Sequence, residues 1–381
     1  MGIQLFKARF DVDACLGQVR ECLEKGWTGT GFKTVEFEEA WKKYTGHQFS
    51  YFINSNTAGL FMAVDTFKEL YGWDDGDEVI STPLTFVSTN HAILKSNLKA
   101  VFADVDETLC LDPASVEQHI TDKTKAVIFV GFGGNTGSFK EIVRICKTHG
   151  LKLILDAAHM AGTRYIDGSI PGTQGSADVT VYSFQAVKNL PTGDSGMICT
   201  DDEKLDSIFR EKAWLGINKD TYSRATGKDG TYKWKYDVDY VGDKYCGNAI
   251  MASIALAQLP HLDQNNVYRR TVAQWYTEEF MKYPDRISLI KIPKDCITSQ
   301  HLFQILVNDR DDLIAYLNSN DVYPGVHYIA NTEYYMYKYG KGTCPRAEYA
   351  SEHIISLPMH LDVTNEDVKR ITDLIVKYVL D

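Results

Sequence analysis

The sequence predicts an α/β protein: a mainly parallel sheet flanked by helices in three layers, followed by a smaller α+β domain. Three observations carry that expectation. Short apolar runs alternate with segments of helical period through the first half, as in a βαβ series. One of those runs, LILD, leads straight into a polar AAH. The last third changes to an isolated strand followed by helical segments.

The units follow in chain order. A short strand closes at 52–54, SNTAG turns, and Leu60, Phe61, Val64 and Phe67 then recur at helical spacing. Residues 78–81 read as a strand, PLTF as a loop, 87–95 as a helix and 99–103 as the next strand. KAVIFV, residues 125–130, reads as a buried strand, and the glycine-rich GFGGNTG leads to a helix over 139–149. Two more strands follow at 151–155, ending in Asp156, and at 178–183. Residues 216–248 are polar, glycine-dotted and rich in Tyr and Trp; compact domains rarely carry so long an irregular stretch unless it is functional or packs on a partner. An apolar helix is expected over 249–262 and another over 267–283, leading away from the first domain. The boundary therefore falls near Gln264, giving a large domain over 1–264 and a small one over 265–381. The small domain holds the strand HLFQILV and the helices DDLIAYLN and EDVKRITDLIVKYVL.

Composition narrows the class. The 381 residues carry 40 Lys and Arg against 51 Asp and Glu, a net charge of −11 with neutral histidines, and this acidic balance disfavours a reader of nucleic-acid phosphates. The start, MGIQLFKARFDVDACLG, lacks the apolar run of a signal peptide, and no stretch approaches a membrane span, so a cytoplasmic protein is expected. The eight cysteines are scattered without a C-x-x-C pair, and the ten histidines show no ligand spacing; no metal site is expected.

Two segments point to chemistry. Asp156 and His159 stand at the carboxyl end of a predicted parallel strand, where ligands of open α/β sheets bind. Further on, DVTVYSFQAVKNLPTGDSG places Lys188 between an apolar strand and a glycine-containing stretch. Alone, Asp156 reads as a turn or helix cap and Lys188 as a solvated charge. Together they supply what pyridoxal phosphate (PLP) chemistry needs: an amine able to form a Schiff base near neutral pH, and a carboxylate to pair with a pyridine nitrogen. SNTAG at a strand-to-helix turn offers a phosphate cradle from backbone N–H groups and the Ser55 and Thr57 hydroxyls. Thr57 also reads as an ordinary helix N-cap. Phe86, in TPLTF at another strand-to-helix loop, offers a flat face for the ring, or a core contact.

In this order these segments resemble the DegT/StrS group of nucleotide-sugar aminotransferases, within the aspartate aminotransferase superfamily of fold type I. The resemblance runs over nearly the whole chain, through GTGFKTVEFEEAWKKYTG, NSNTAGL, GDEVISTPLTFVSTNHAILKSNLKAVFADVD, LILDAAH, YSFQAVKNLPTGDSGMICT, IALAQLPHLD, GVHY and ISLPMHL. It implies the three-layer PLP-transferase fold. By that resemblance Lys188 would bind PLP covalently and then carry the proton between cofactor and substrate carbons. Asp156 would pair with the pyridinium nitrogen, His159 would sit beside the ring hydroxyl and Phe86 would stack on the ring. Ser183, Thr57 and the backbone at Asn56, with Ser55 beside them, would hold the phosphate. The family builds its site at a dimer interface, and Lys244, in the loop before IALAQL, would reach the neighbour's phosphate.

Departures from the family pattern are specific. The phosphate turn reads S-N-T where S-G-T is usual, so Asn56 occupies a glycine position, with left-handed backbone angles as one way to fit. GDKYCGN replaces G-x-N-Y-R-M, putting Cys246 where an arginine is expected. Gln185 stands where many relatives have His and bears on substrate choice, as do His327 and Tyr328 of GVHY and the aromatic stretch from Tyr222 to Tyr245.

The implied reaction has two stages. L-glutamate converts PLP to its amine form (PMP) and leaves as the 2-oxo acid; the amine then passes to a nucleotide-linked 4-keto or 3-keto 6-deoxysugar, for surface polysaccharide or glycoconjugate. A sugar dehydratase of the same family is the alternative, but those relatives replace the lysine with histidine. A non-catalytic PLP-binding regulator is the other alternative, which Lys188, Asp156 and the phosphate turn disfavour.

Overall fold

The computed structural model describes residues 2–218 and 236–380. Two helices come first, α1 (Val12–Glu24) and α2 (Phe32–Thr45), followed by β1 (Phe49–Ile53) and α3 (Asn56–Tyr71). Then come β2 (Glu78–Ser81), α4 (Val87–Lys95), β3 (Lys99–Phe102), α5 (Pro113–Gln118), β4 (Thr124–Val130) and α6 (Phe139–His149). The run ends with β5 (Lys152–Asp156), the short β6 (Arg164–Tyr165), β7 (Val179–Ser183), β8 (Gly196–Thr200) and α7 (Glu203–Lys212). Capping follows from the residues present: the Ser55 side chain accepts from the Ala58 N–H to start α3, and Gly72 ends it in the left-handed region. In α6 the buried Phe139, Ile142, Ile145 and Cys146 form one stripe, which is what the helical period anticipates.

A seven-stranded sheet runs β1-β8-β7-β5-β4-β2-β3. Neighbours are parallel from β7 outward to β3, while β8 lies antiparallel to both β1 and β7. The mainly parallel sheet flanked by helices is therefore what the chain adopts. An aromatic cluster fastens α2 to the sheet: Trp41 meets Tyr182 and Phe184 at ring distances of 5.0 Å, and Phe37 meets Phe52 at 5.2 Å. All five rings are buried.

Downstream, α8 (Ala249–Gln258) is followed by a 3-10 turn at Leu259–His261 and then α9 (Leu262–Phe280). This corrects the expected helices over 249–262 and 267–283. Pro260 has no N–H to donate to the α ladder, so the first helix stops earlier. The second starts five residues earlier because Asn266 and Arg269, both polar, stand on its buried face and break the apolar period. Each finds a partner there: Asn266 Nδ2 donates to the Ala161 carbonyl at 2.9 Å, and one terminal guanidinium nitrogen of Arg269 donates to the Met359 carbonyl at 3.0 Å, while its Nε has no partner among the described residues. A second apolar cluster joins Val272, Tyr276 and Phe280 of α9 to Phe303, Ile305, Ile355, Ile371 and Ile375. Tyr337, Cys344, Ala347 and Ala350 pack instead into the large cluster around the sheet.

No helix among the described residues is long and apolar enough to cross a membrane. The aromatic stretch from Tyr222 falls outside the described residues as far as 235.

Candidate active site

Strands β1, β2, β4, β5 and β7 share one direction, so their carboxyl ends meet at one edge of the sheet. A cavity of about 450 Å³ opens there, and it is lined by Ser55, Asn56, Thr57, Phe86, Asp156, His159, Ser183, Gln185, Lys188, His327 and Tyr328, but neither by Lys244 nor by Tyr236, Tyr240 and Tyr245 of the aromatic stretch. Larger surface grooves of about 720 and 610 Å³ hold none of the residues that line this cavity, and Tyr245 lies in the second of them.

One end of the cavity is the N-terminus of α3. Its N-cap is Ser55, extended at φ −168°, so the alternative reading of Thr57 as the cap does not hold. Thr57 lies in the first turn with its hydroxyl unpartnered among the described residues, as are the backbone N–H groups of Asn56 and Thr57. Unpaired N–H donors at the positive end of a helix suit a phosphate. The left-handed backbone considered for Asn56 is also corrected: the residue is helical, and its side chain turns inward. Gly196, at the start of β8, makes the close approach possible, since a Cβ there would lie 2.8 Å from the Asn56 nitrogen and 2.7 Å from the Tyr182 carbonyl oxygen.

At the base stands Asp156, the last residue of β5 and 4% exposed. Its Oδ2 accepts from Thr89 Oγ1 at 2.8 Å; Oδ1 accepts from Asn56 Nδ2 and from the Ala158 N–H, each at 3.2 Å. Burial pushes its carboxyl above the usual range, while these donors and the charge of Lys188 oppose that rise. Thr89 escaped the sequence reading. The signal was the polar STN run inside the otherwise apolar first turns of α4, where Ser88, Thr89 and Asn90 are all buried.

Lys188 follows β7 on a loop whose next residue is firmly held. Asn189 Nδ2 donates to Asn266 Oδ1 at 2.7 Å and to the Ser299 carbonyl at 2.8 Å, and Asn189 Oδ1 lies 2.9 Å from His301 Nδ1. The Lys188 amine makes no hydrogen bond or ion pair among the described residues. Burial lowers its pKa to about 8, against a smaller upward pull from Asp156. Ser183 closes β7 beside it, and Gln185 turns its Oε1 back to accept from the Val187 N–H at 3.0 Å.

His159 and Tyr328 form the opposite wall. The Gly133 N–H donates to His159 Nδ1 at 3.1 Å, so the neutral ring carries its proton on Nε2, which lies 3.0 Å from the Tyr328 hydroxyl. Burial holds His159 far below the usual histidine range. GFGGNTG supplies that donor by doubling back after β4: Gly133 and Gly134 have φ of 63° and 96°, and a Cβ on Gly134 would lie 2.2 Å from Ser299 Oγ. His327, beside Tyr328, bonds through Nδ1 to Ser356 Oγ at 2.9 Å and is lowered by burial to about 4. Phe86 is 59% exposed at the cavity mouth, which corrects the core reading of this ring. Lys244 stands outside, exposed, with its ammonium 4.2 Å over the Trp214 ring and its carbonyl accepting from Asn54 Nδ2.

These residues fit PLP: unpaired donors for a phosphate at one end, a buried carboxylate at the base, an unpartnered amine of lowered pKa and an exposed flat ring. The DegT/DnrJ/EryC1/StrS aminotransferase family model matches residues 11–376. The chain belongs to that family. As a DegT/DnrJ/EryC1/StrS protein it is a PLP-dependent aminotransferase, and related sequences and structures span its whole length. It is 33% identical over 370 residues to the spore coat polysaccharide biosynthesis protein SpsC of Bacillus subtilis, covering 94% of this chain and 92% of SpsC. Helicobacter pylori PseC, an aminotransferase of pseudoaminic acid biosynthesis, superposes with a TM-score of 0.90 at 25% identity and covers both chains fully. Spr1654 of Streptococcus pneumoniae, in its PLP form, superposes at 0.88 with 25% identity over 100% of both chains.

Proposed function

We propose that this aminotransferase takes an amino group from L-glutamate and gives it to a nucleotide-linked 4-keto or 3-keto 6-deoxysugar, in making an amino sugar for surface polysaccharide or glycoconjugate. The observation that carries it is the unpartnered Lys188 amine, with a pKa of about 8, in one cavity with buried Asp156 and the open N-terminus of α3.

When bound, PLP supplies an electron sink for the bond broken at the substrate carbon. Ser55, Thr57, Ser183 and the N–H groups at Asn56 and Thr57 would hold the phosphate, with Phe86 over the ring. Asp156 would hold a proton on the ring nitrogen. His159, fixed as its Nε2–H form, keeps Tyr328 oriented so that the phenolic proton is free to donate into the cavity. In the first stage Lys188 Nζ takes the proton from the glutamate α-carbon and returns it on the cofactor side; in the second it does the reverse for the sugar. Retention of Lys188 supports transamination over the dehydratase reading.

Gln185, His327 and Tyr328 line the cavity and are the residues through which the sugar would be selected. We assign the large domain to 1–264 and the small one to 265–381. In a cytoplasmic homodimer Lys244, exposed outside its own cavity, would serve the neighbour's phosphate. Incubation of the PLP-loaded protein with L-glutamate yields 2-oxoglutarate under this reading, and a screen of ketosugar nucleotides then identifies an acceptor. No 2-oxoglutarate with any acceptor present overturns it.

A further inference from the structure

Asn56 occupies a position where the S-G-T pattern has no side chain, and its amide is spent on Asp156. Nδ2 donates to Asp156 Oδ1 at 3.2 Å and to the Val181 carbonyl oxygen at 2.9 Å. Both neighbours are pure acceptors, so the NH₂ end must face them and the amide has only this orientation. The residue is 8% exposed and is fixed at the first turn of α3, so the amide bridges the phosphate end of the cavity, the end of β5 and strand β7. Thr89, whose one hydroxyl proton goes to Asp156 and which therefore accepts from Thr85 Oγ1 at 2.9 Å, reaches the other carboxylate oxygen from α4. We infer that Asn56 is a positioning residue that acts through Asp156, keeping the buried carboxylate ionised and aimed at the ring-nitrogen end of the cavity.

The balance of charges around Asp156 makes this contribution matter. Lys188, from the loop after β7, is the cation that acts on it. Tyr328 faces it from the opposite wall, held neutral by burial and by the Asp156 charge, and His159, three residues along, is neutral as well. Asn56, Thr89 and the Ala158 N–H are therefore neutral donors that oppose the burial of the charge.

This inference rests on the placement of Asp156 at the ring nitrogen proposed above, and a double-mutant cycle separates the two. PLP is titrated into the full-length apo-protein across pH, with binding followed by tryptophan fluorescence. Asn56→Gly and Asn56→Ala both move the acid limb of PLP affinity upward by about one pH unit, about tenfold weaker binding on that limb. Agreement between the two excludes backbone freedom as the cause. In an Asp156→Ala background the same substitutions move the limb no further. Ser55→Ala, at the phosphate end, weakens binding without moving the limb. If Asn56→Gly and Asn56→Ala leave the limb in place, or weaken binding equally with and without Asp156, the inference is overturned. If Asp156→Ala alone leaves PLP affinity and its pH profile unchanged, the placement of Asp156 fails instead.

Discussion

Tyr328 Oη lies 3.0 Å from Nε2 of His159, and the opposite ring nitrogen of His159 accepts from the Gly133 backbone at 3.1 Å. The backbone bond thereby decides which end of the imidazole donates, and the phenol receives that hydrogen bond while keeping its own proton. His159 is buried and Tyr328 half-buried, and desolvation keeps the ring neutral and the phenol protonated, the Asp156 charge adding to the second effect.

Replacing Tyr328 with Phe leaves the His159 Nε2–H without its acceptor in a buried place. A loss of about 1–2 kcal/mol in unfolding free energy is expected, together with a fall in turnover larger than any rise in KM for glutamate. Denaturant unfolding and steady-state kinetics check it; unchanged stability and unchanged kcat would sink the assigned hydrogen bond.

Lys188 has the opposite requirement, since only its neutral form attacks an aldehyde. Burial disfavours the ammonium and brings the pKa down to about 8, so about a tenth of the amine is neutral at pH 7, against about one part in three thousand at the ordinary 10.5. The rate of PLP capture by apo-protein therefore rises with pH and reaches half its plateau near 8. Stopped-flow absorbance gives the midpoint; a value near that of an ordinary lysine contradicts the buried placement.

Lys188→Ala removes both the covalent attachment and the proton carrier. Turnover falls by about a thousandfold or more, while PLP still binds through the phosphate and stacking contacts. Absorbance of the imine disappears, and borohydride no longer fixes a label to the chain. A label that persists on another lysine would reassign the nucleophile.

Much of this was legible in the residues, for physical reasons that differ by element. Strands such as KAVIFV and helix α6 announce themselves because burial imposes period on apolar side chains. Asp156, His159 and Lys188 stand out only in combination, because alone an aspartate ending a strand serves as a cap and a lysine as a solvated charge. The start of α9 was hidden because Asn266 and Arg269 take buried positions usually given to apolar residues, each bonded to a carbonyl far along the chain. For the same reason neither Thr89 nor the inward turn of Asn56 was visible: each acquires its role from Asp156, 67 and 100 residues away. Helix α3 was placed correctly while its cap was misjudged, because Ser55 and Thr57 are both good caps and only the backbone angles at Ser55 decide between them.

Phe86 separates cofactor binding from stability. Its ring is 59% exposed, so truncation to Ala leaves little new apolar surface unburied and should change the melting temperature of apo-protein by no more than a degree or two. With a cofactor ring against it the lost stacking lowers PLP affinity by about tenfold. Apo and PLP-bound melting curves test both halves, and a large loss in the apo form would place this ring in the core after all.

Gly193, in the loop before β8, and Gly196, the first residue of β8, make a matched pair with opposite tolerances. A Cβ on Gly196 meets backbone on every side: the Tyr182 carbonyl oxygen at 2.7 Å, the Asn56 nitrogen at 2.8 Å and the Ser55 carbonyl carbon at 2.9 Å. None of these atoms is the end of a flexible side chain, so Gly196→Ala must push α3 away from β8. It costs about 1–3 kcal/mol of stability and also displaces the unpaired N–H groups of Asn56 and Thr57. On Gly193 the nearest atom is Met251 Sδ at 3.1 Å, the end of a flexible chain that swings aside, so Gly193→Ala stays within about 0.5 kcal/mol of the parent. Inorganic phosphate or PLP should stabilise Gly193→Ala as it does the parent and Gly196→Ala far less, read as the shift in melting temperature at fixed ligand concentration. Equal shifts for both variants would mean that the approach of α3 to β8 does not build the phosphate end of the cavity.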